Sequence, residues 1–207
     1  MKVAVVSYGL NNIGSVTRAL SDLGADVIVA EDPAALGAAD RIVLPGVGAF
    51  GEAMARLRAG GWVDRIREEV EQRRKPLLGI CLGMQMLASS SEEHGATAGL
   101  GLIPGLVRRL DALGCSLRIP HVGWNEVRFR ERAPLFERIP QGTDFYFVHS
   151  YALDAADAAT VTASTPYGTW LTTAVQSGHI FGTQFHPEKS SRAGRQVLAN
   201  FLHFSAC

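Results

Sequence analysis

The chain has 207 residues, 47% of them hydrophobic, and its 20 basic and 20 acidic side chains cancel. That is enough apolar material for a sizeable core and too much for a disordered chain. The neutral balance leaves no electrostatic footprint for nucleic acid or an anionic membrane, so neither partner is expected.

No apolar run approaches the roughly 20 residues of a membrane helix. The opening MKVAVVSYGL has too short an apolar stretch for a secretory signal and reads as a first strand. Three scattered cysteines, Cys81, Cys115 and Cys207, suit a reducing cytoplasm rather than a disulfide framework. No spacing of His, Cys or acidic residues suggests a metal, and no cofactor is expected.

In chain order, KVAVV (2–6) is a short, β-branched, almost wholly apolar run. It reads as a parallel strand buried on both faces, ending in the turn SYGLNN. Ser15–Leu23 carries a helical stripe at Val16, Ala19, Leu20 and Leu23, stopped by Gly24. DVIVA (26–30) is a second strand, and RIVLPGVGAF (41–50) a third that runs into a Pro/Gly turn. Glu52–Arg74 is helical, broken at Gly60-Gly61, with EEVEQRRK (68–75) as a solvated face carrying i,i+4 pairs. KPLLGI (75–80) is a fourth strand, and LGMQMLASS opens a helix.

This alternation predicts a doubly wound, mostly parallel α/β sheet with helices on both faces. Between Leu102 and Phe185 the rhythm changes. LVRRL, EVRFR, DFYFVHSY, TVTAS, LTTAVQ and HIFGTQF are short β-like runs, which predict hairpins or an additional small β layer. A last helix covers Ser190–Phe204. With no repeat or linker, one domain over 1–207 is expected.

GICLG (79–83) has the form G-x-C-x-G, the sulfur counterpart of the nucleophile elbow, with a strand expected before it and a helix after it. On such a turn neighbouring Cβ atoms would clash, hence the glycines. The helix start favours a thiolate at Cys81, and the Leu82 N–H is placed to receive an oxyanion. Taken alone, the stretch also fits a buried structural cysteine.

In GTQFHPEKS, Pro187 biases His186 toward extended backbone, so His186 and Glu188, two apart, can share a face. That suits a base and its orienting carboxylate; taken alone, His-Pro-Glu also fits a plain surface turn. PGVG (45–48) sits at the C-terminal end of a predicted parallel strand, where open α/β sheets place ligands. Val47 between two glycines could offer a second oxyanion N–H, or simply form a strand-to-helix turn.

These stretches in this order resemble the class I, triad-type glutamine amidotransferases. GICLGMQ and FHPE match the family's nucleophile and His-Glu motifs. PGVGAF, PHVGWNEV, FYFVHSY and GTQFHPEKS look like the glutaminase subunits of imidazole glycerol phosphate synthases. The resemblance implies a Cys81–His186–Glu188 triad, oxyanion donors at Val47 and Leu82, and glutamine contacts from Gly48, Gln85, Glu93, His149, Ser150 and Tyr151.

It also implies hydrolysis of L-glutamine through a Cys81 thioester, with ammonia passed to a (β/α)₈-barrel cyclase in a heterodimer serving histidine biosynthesis. The first turn departs from the family, with Ser7 for an acidic residue and Asn11 for a glycine. NNIGS is also similar to relatives that feed an amidino-sugar synthase, a second reading. Trp124 and Asn125 fit either a partner face or the interior and a turn, His121 either a partner face or a structural role. Lys189 fits either an acidic partner or solvent, and Cys115 and Cys207 are expected to be bystanders.

Overall fold

A computed structural model describes residues 1–10 and 13–205. The expectations for Asn11 and Cys207 therefore lie outside the described residues.

The first part alternates as expected. Strand β1 (Lys2–Val6) is followed by helix α1 (Ile13–Ser21), β2 (Asp26–Ala30) and β3 (Arg41–Gly46). Helices α2 (Phe50–Ala59) and α3 (Trp62–Arg67) come next, then β4 (Leu77–Cys81) and α4 (Leu82–Met86). The β-rich part holds β5 (Ser90–Ser91), β6 (Thr97–Ala98), β7 (Gly105–Arg109), β8 (His121–Phe129), β9 (Thr143–His149) and β10 (Tyr151–Ala155). It continues through β11 (Val161–Pro166), β12 (Trp170–Ser177) and β13 (Ile180–Thr183), and α5 (Ser191–His203) follows.

Nine strands form the main sheet in the order β2-β1-β3-β4-β13-β12-β11-β8-β9, and β10-β7-β5-β6 form a smaller second sheet. The five strands from β2 to β13 are parallel; the remaining pairings of the main sheet are antiparallel. The small β layer expected from the change of rhythm is the second sheet.

Alternation along the parallel strands builds two apolar layers. Ala4, Val6, Ile42, Leu44 and Leu77 face one side, packed with Phe50, Met54 and Leu57 of α2 and with Trp62 and Ile66 of α3. Val3, Val5, Val43, Leu78 and Ile80 face the other, packed with Val16 and Leu20 of α1 and with Val197, Leu198 and Phe201 of α5. Successive side chains of a strand point to opposite faces, so a strand covered on both sides is apolar at every position.

Several boundaries differ from expectation. The third strand stops at Gly46, and Phe50 begins α2, where its fully buried ring is part of the core. The helix after Cys81 lasts only to Met86; Ser90-Ser91 pair with β6 and β7 instead of continuing it. Helix α1 lies two residues earlier than its stripe suggests, and DFYFVHSY is divided at Ser150 between β9 and β10. The break at Gly60-Gly61 stands, Gly61 having the left-handed φ of +71°.

The run 68–75 is not simply a solvated face. Glu68–Gln72 widen into a π-helical turn that takes Glu69 out of solvent. There its carboxylate meets Arg65 at 2.5 Å, Lys75 at 2.8 Å and Arg73 at 3.2 Å. The expected i,i+4 pairs form, but around a buried carboxylate ringed by three cations.

Candidate active site

Strand β4 delivers Cys81 to the C-terminal edge of the parallel sheet, between the ends of β3 and β13, with Gly46 opposite Cys81 and Thr183 opposite Ile80. Cys81 has φ +56° and ψ −111°, a sparsely populated backbone for a residue with a side chain. The elbow is possible because Gly83 lies against the β3 backbone: a Cβ there would sit 1.8 Å from the Leu44 carbonyl oxygen. A Cβ at Gly79 would sit 2.7 Å from the backbone of Gly83. Both motif glycines are therefore demanded by crowding.

The chain runs on from β13 through Gln184 to His186, whose backbone N–H donates to the Tyr146 carbonyl at 3.0 Å. His186 is extended, but Pro187–Lys189 form a 3₁₀ turn rather than the extended segment anticipated. Proline's fixed φ suits the first position of such a turn, and the turn still brings Glu188 back to the ring. Glu188 Oε1 accepts from His186 Nδ1 at 2.8 Å, with both side chains about 5% exposed or less.

A carboxylate only accepts, so Nδ1 carries a proton in either charge state and Nε2 is the atom that gains or gives up the second one. His186 Nε2 is buried without another hydrogen-bond partner. Burial opposes a charge on His186, but the neighbouring Cys81 sulfur and Glu188 carboxylate outweigh it and push its pKa up to about 9. Tyr8, buried with an unpartnered hydroxyl, is raised above the usual phenol range by burial and by the charge of Cys81.

A cavity of about 390 Å³ gathers the candidates: Val47, Gly48, Cys81, Leu82, Gln85, Glu93, His149, Ser150, Tyr151 and His186 all line it. Glu188 stands behind His186. A larger depression of about 660 Å³, lined by Arg18, Arg192 and Arg195 and reaching Glu188 from behind, contains neither Cys81 nor His186. Cys81 and His186 both open into the smaller cavity.

Val47 is 40% exposed, and its N–H points to the Leu10 carbonyl at 3.4 Å; Gly48 has the left-handed φ of +91°. Leu82 opens α4, so its N–H belongs to a turn without intrahelical acceptors. Glu93 sits in the turn between β5 and β6. Its Oε2 accepts from the Phe50 N–H at 2.8 Å, capping α2 and tying down the segment after PGVG.

Four side chains below the cavity form a directional chain. The Tyr151 carbonyl can only accept, and it takes Gln85 Nε2 at 2.8 Å and His149 Nδ1 at 2.9 Å. His149 Nε2 must then accept, from His121 Nδ1 at 3.0 Å, and His121 Nε2 accepts from Asn125 Nδ2 at 3.3 Å. Burial holds both histidines neutral, His121 near 4 and His149 near 3. His121 is thus structural, stacked between Phe147 and Tyr167.

Asn125 is tied to Pro166 and to this chain, Trp124 is 52% exposed and so not core, and Lys189 is exposed. Cys115 is buried in a separate small cluster with Leu110, Ala152 and Leu171. Sequence reasoning missed Val148, whose carbonyl lies 4.0 Å from the Cys81 sulfur, and Gln184, whose Nε2 lies 3.7 Å from it. Strand alternation could have found Gln184, two residues before His186.

Among the described residues no group of three or more His, Cys, Asp or Glu side chains could hold a metal, and no helix is long and apolar enough to cross a membrane.

The chain belongs to the class-I glutamine amidotransferases, whose model matches residues 4–204. More particularly, it is 52% identical over 199 residues to the imidazole glycerol phosphate synthase subunit HisH of Moorella thermoacetica, covering 96% of this chain and 93% of that one. It is 43% identical over 203 residues to the HisH subunit of Syntrophotalea carbinolica, covering 96% and 98%. A crystal structure of a glutamine amidotransferase superposes with a TM-score of 0.76 at 20% identity, covering 97% of this chain and 96% of that one, a likeness of fold.

Proposed function

We propose that this chain is the glutaminase subunit of an imidazole glycerol phosphate synthase. It hydrolyses L-glutamine to glutamate and passes the ammonia to a (β/α)₈-barrel cyclase in histidine biosynthesis. The observation that carries the reading is the shared cavity of a strained cysteine, an imidazole whose Nδ1 is held by a buried carboxylate, and Gln85 beside them. Similarity over nearly the whole chain to HisH subunits points the same way.

In this mechanism Cys81 gives its proton to His186 Nε2 and its sulfur attacks the carboxamide carbon of glutamine. The oxyanion is held by the Leu82 N–H and by Val47 N–H once that peptide turns from Leu10. His186 protonates the departing ammonia. It then takes a proton from water, which hydrolyses the thioester and returns the thiol. Glu188 keeps Nε2 aimed at the sulfur throughout. Gln85, Glu93, Gly48 and the 149–151 segment hold the amino acid, although the Tyr151 carbonyl is already taken by Gln85 and His149.

Free ammonia in neutral water becomes ammonium, which is no nucleophile, so it must pass directly into the partner. Val47 and Val148 at the cavity, with Val122 and Trp124 on neighbouring β8, give an exposed apolar rim where a partner could seal it. Because Val47 N–H faces Leu10, glutamate release is expected to be slow until the partner is bound.

Two experiments test this. A glutamine-analogue electrophile should label Cys81, and Cys81→Ala should release no glutamate. The chain should restore growth of a histidine auxotroph lacking its glutaminase subunit. Labelling without restored growth would move the assignment to another ammonia acceptor, such as the amidino-sugar pathway; high activity of the isolated chain would end the gating claim.

A further inference from the structure

We propose that Gln184 is a positioning residue with two faces: its N–H group holds the Cys81 sulfur as thiolate, and its carbonyl turns the Gln85 amide so that Gln85 Oε1 is left for substrate. The inference rests on Cys81 as nucleophile and Gln85 as a glutamine contact.

The orientation of both amides follows from one unambiguous acceptor. A backbone carbonyl cannot donate, so the Gln85 atom 2.8 Å from the Tyr151 oxygen is its nitrogen. The same nitrogen lies 2.9 Å from the Gln184 side chain, which must therefore present its oxygen there. The remaining end of Gln184, its NH₂ group, is then 3.7 Å from the Cys81 sulfur. Flipping either amide would set donor against donor or acceptor against acceptor.

Gln184 is fully buried, and its backbone N–H is fixed to the Thr173 carbonyl at 2.9 Å. No water competes for the sulfur from that side, and an unmade bond there would be costly. Of the two hydrogen-bond neighbours of the sulfur apart from His186, the Val148 carbonyl at 4.0 Å can only accept and so favours the thiol. The Gln184 N–H is thus the neutral donor that tips the sulfur toward the charged form, its proton going to His186 Nε2. With both hydrogens of Gln85 Nε2 committed, Oε1 is the one acceptor of that amide remaining for the substrate.

The two faces separate by substitution. Gln184→Glu keeps an oxygen toward Gln85 but removes the donor to sulfur. Gln184→Met removes both. Alkylation of Cys81 by iodoacetamide, followed by mass spectrometry across a pH series on the full chain, reads the thiol; glutaminase kinetics with the partner bound read kcat and KM. Both variants should move the alkylation profile up by about one pH unit or more, a tenfold loss of thiolate at a given pH.

Gln184→Glu should lower kcat about tenfold or more with KM for glutamine within about twofold, whereas Gln184→Met should also raise KM several-fold. A purely structural role would leave the alkylation profile in place. Wild-type profiles and wild-type KM in a folded Gln184→Met variant would overturn the proposal, whatever becomes of Gln184→Glu. Glutamate release by Cys81→Ala would instead overturn the reading on which it rests.

Discussion

Replacing Glu188 by glutamine keeps an acceptor for His186 Nδ1 but removes the charge 2.8 Å away. In the folded chain His186 is held near pH 9 against an ordinary 6.5, and such a rise is worth about 3 kcal/mol. The sign follows from which state binds the proton more tightly. A raised pKa means the folded state does, so the contribution is complete below about pH 6.5 and is lost as pH rises through about 9.

Cys81 supplies part of the rise, and the carboxylate's part is expected to be about one pH unit or more. Glu188→Gln should therefore cost about 1–2 kcal/mol at pH 6 and almost nothing of this term at pH 9.5. Guanidinium unfolding at the two pH values measures the difference, and an NMR titration of the ring follows its pKa directly. A stability difference unchanged between the two pH values, or a variant ring titrating where the wild type does, would refute the reasoning.

Other consequences are open to similar tests. Glu69→Ala leaves Arg65, Arg73 and Lys75 without their buried anion and should destabilise by about 2–4 kcal/mol, measured by denaturant midpoint. Gly83→Ala puts a methyl 1.8 Å from the Leu44 oxygen and should cost at least about 3 kcal/mol, or roughly 6–12 °C in Tm; a Tm within 2 °C would contradict the crowding at the elbow.

His121 and His149, held down near 4 and 3, are protonated more readily when unfolded. Their contribution is whole above about pH 6.5 and is lost as pH falls toward 3–4, so His121→Phe should flatten the acid branch of a stability–pH curve. Glu93→Gln weakens the cap on Phe50 N–H and the segment after PGVG, and it should raise KM for glutamine several-fold with the partner bound while moving Tm by no more than about 4 °C.

Much of the fold could be read locally. Apolar runs such as KVAVV and KPLLGI mark strands covered on both faces, because period-2 geometry exposes every position of such a run to one layer or the other. The helical stripe at Val16 and Leu20 and the glycines around Cys81 are equally local, since each is dictated by neighbours a few residues away.

What local pattern did not reveal is where elements end and how distant pieces meet. LGMQMLASS has the composition of a longer helix, yet the second sheet takes Ser90-Ser91. EEVEQRRK reads as solvated, yet the approach of Lys75 to Glu69 turns it inward.

The amino-acid sequence by itself determined the chemistry available: a sulfur on a tight turn, a histidine before proline, a carboxylate two residues on. Only the tertiary structure decided that the sulfur and the imidazole share a cavity, with the carboxylate behind them. That depends on β13 entering the sheet beside β4, a parallel pairing across about a hundred residues. Closing so long a loop costs entropy that no local propensity offsets; burial of the two apolar faces of the sheet does.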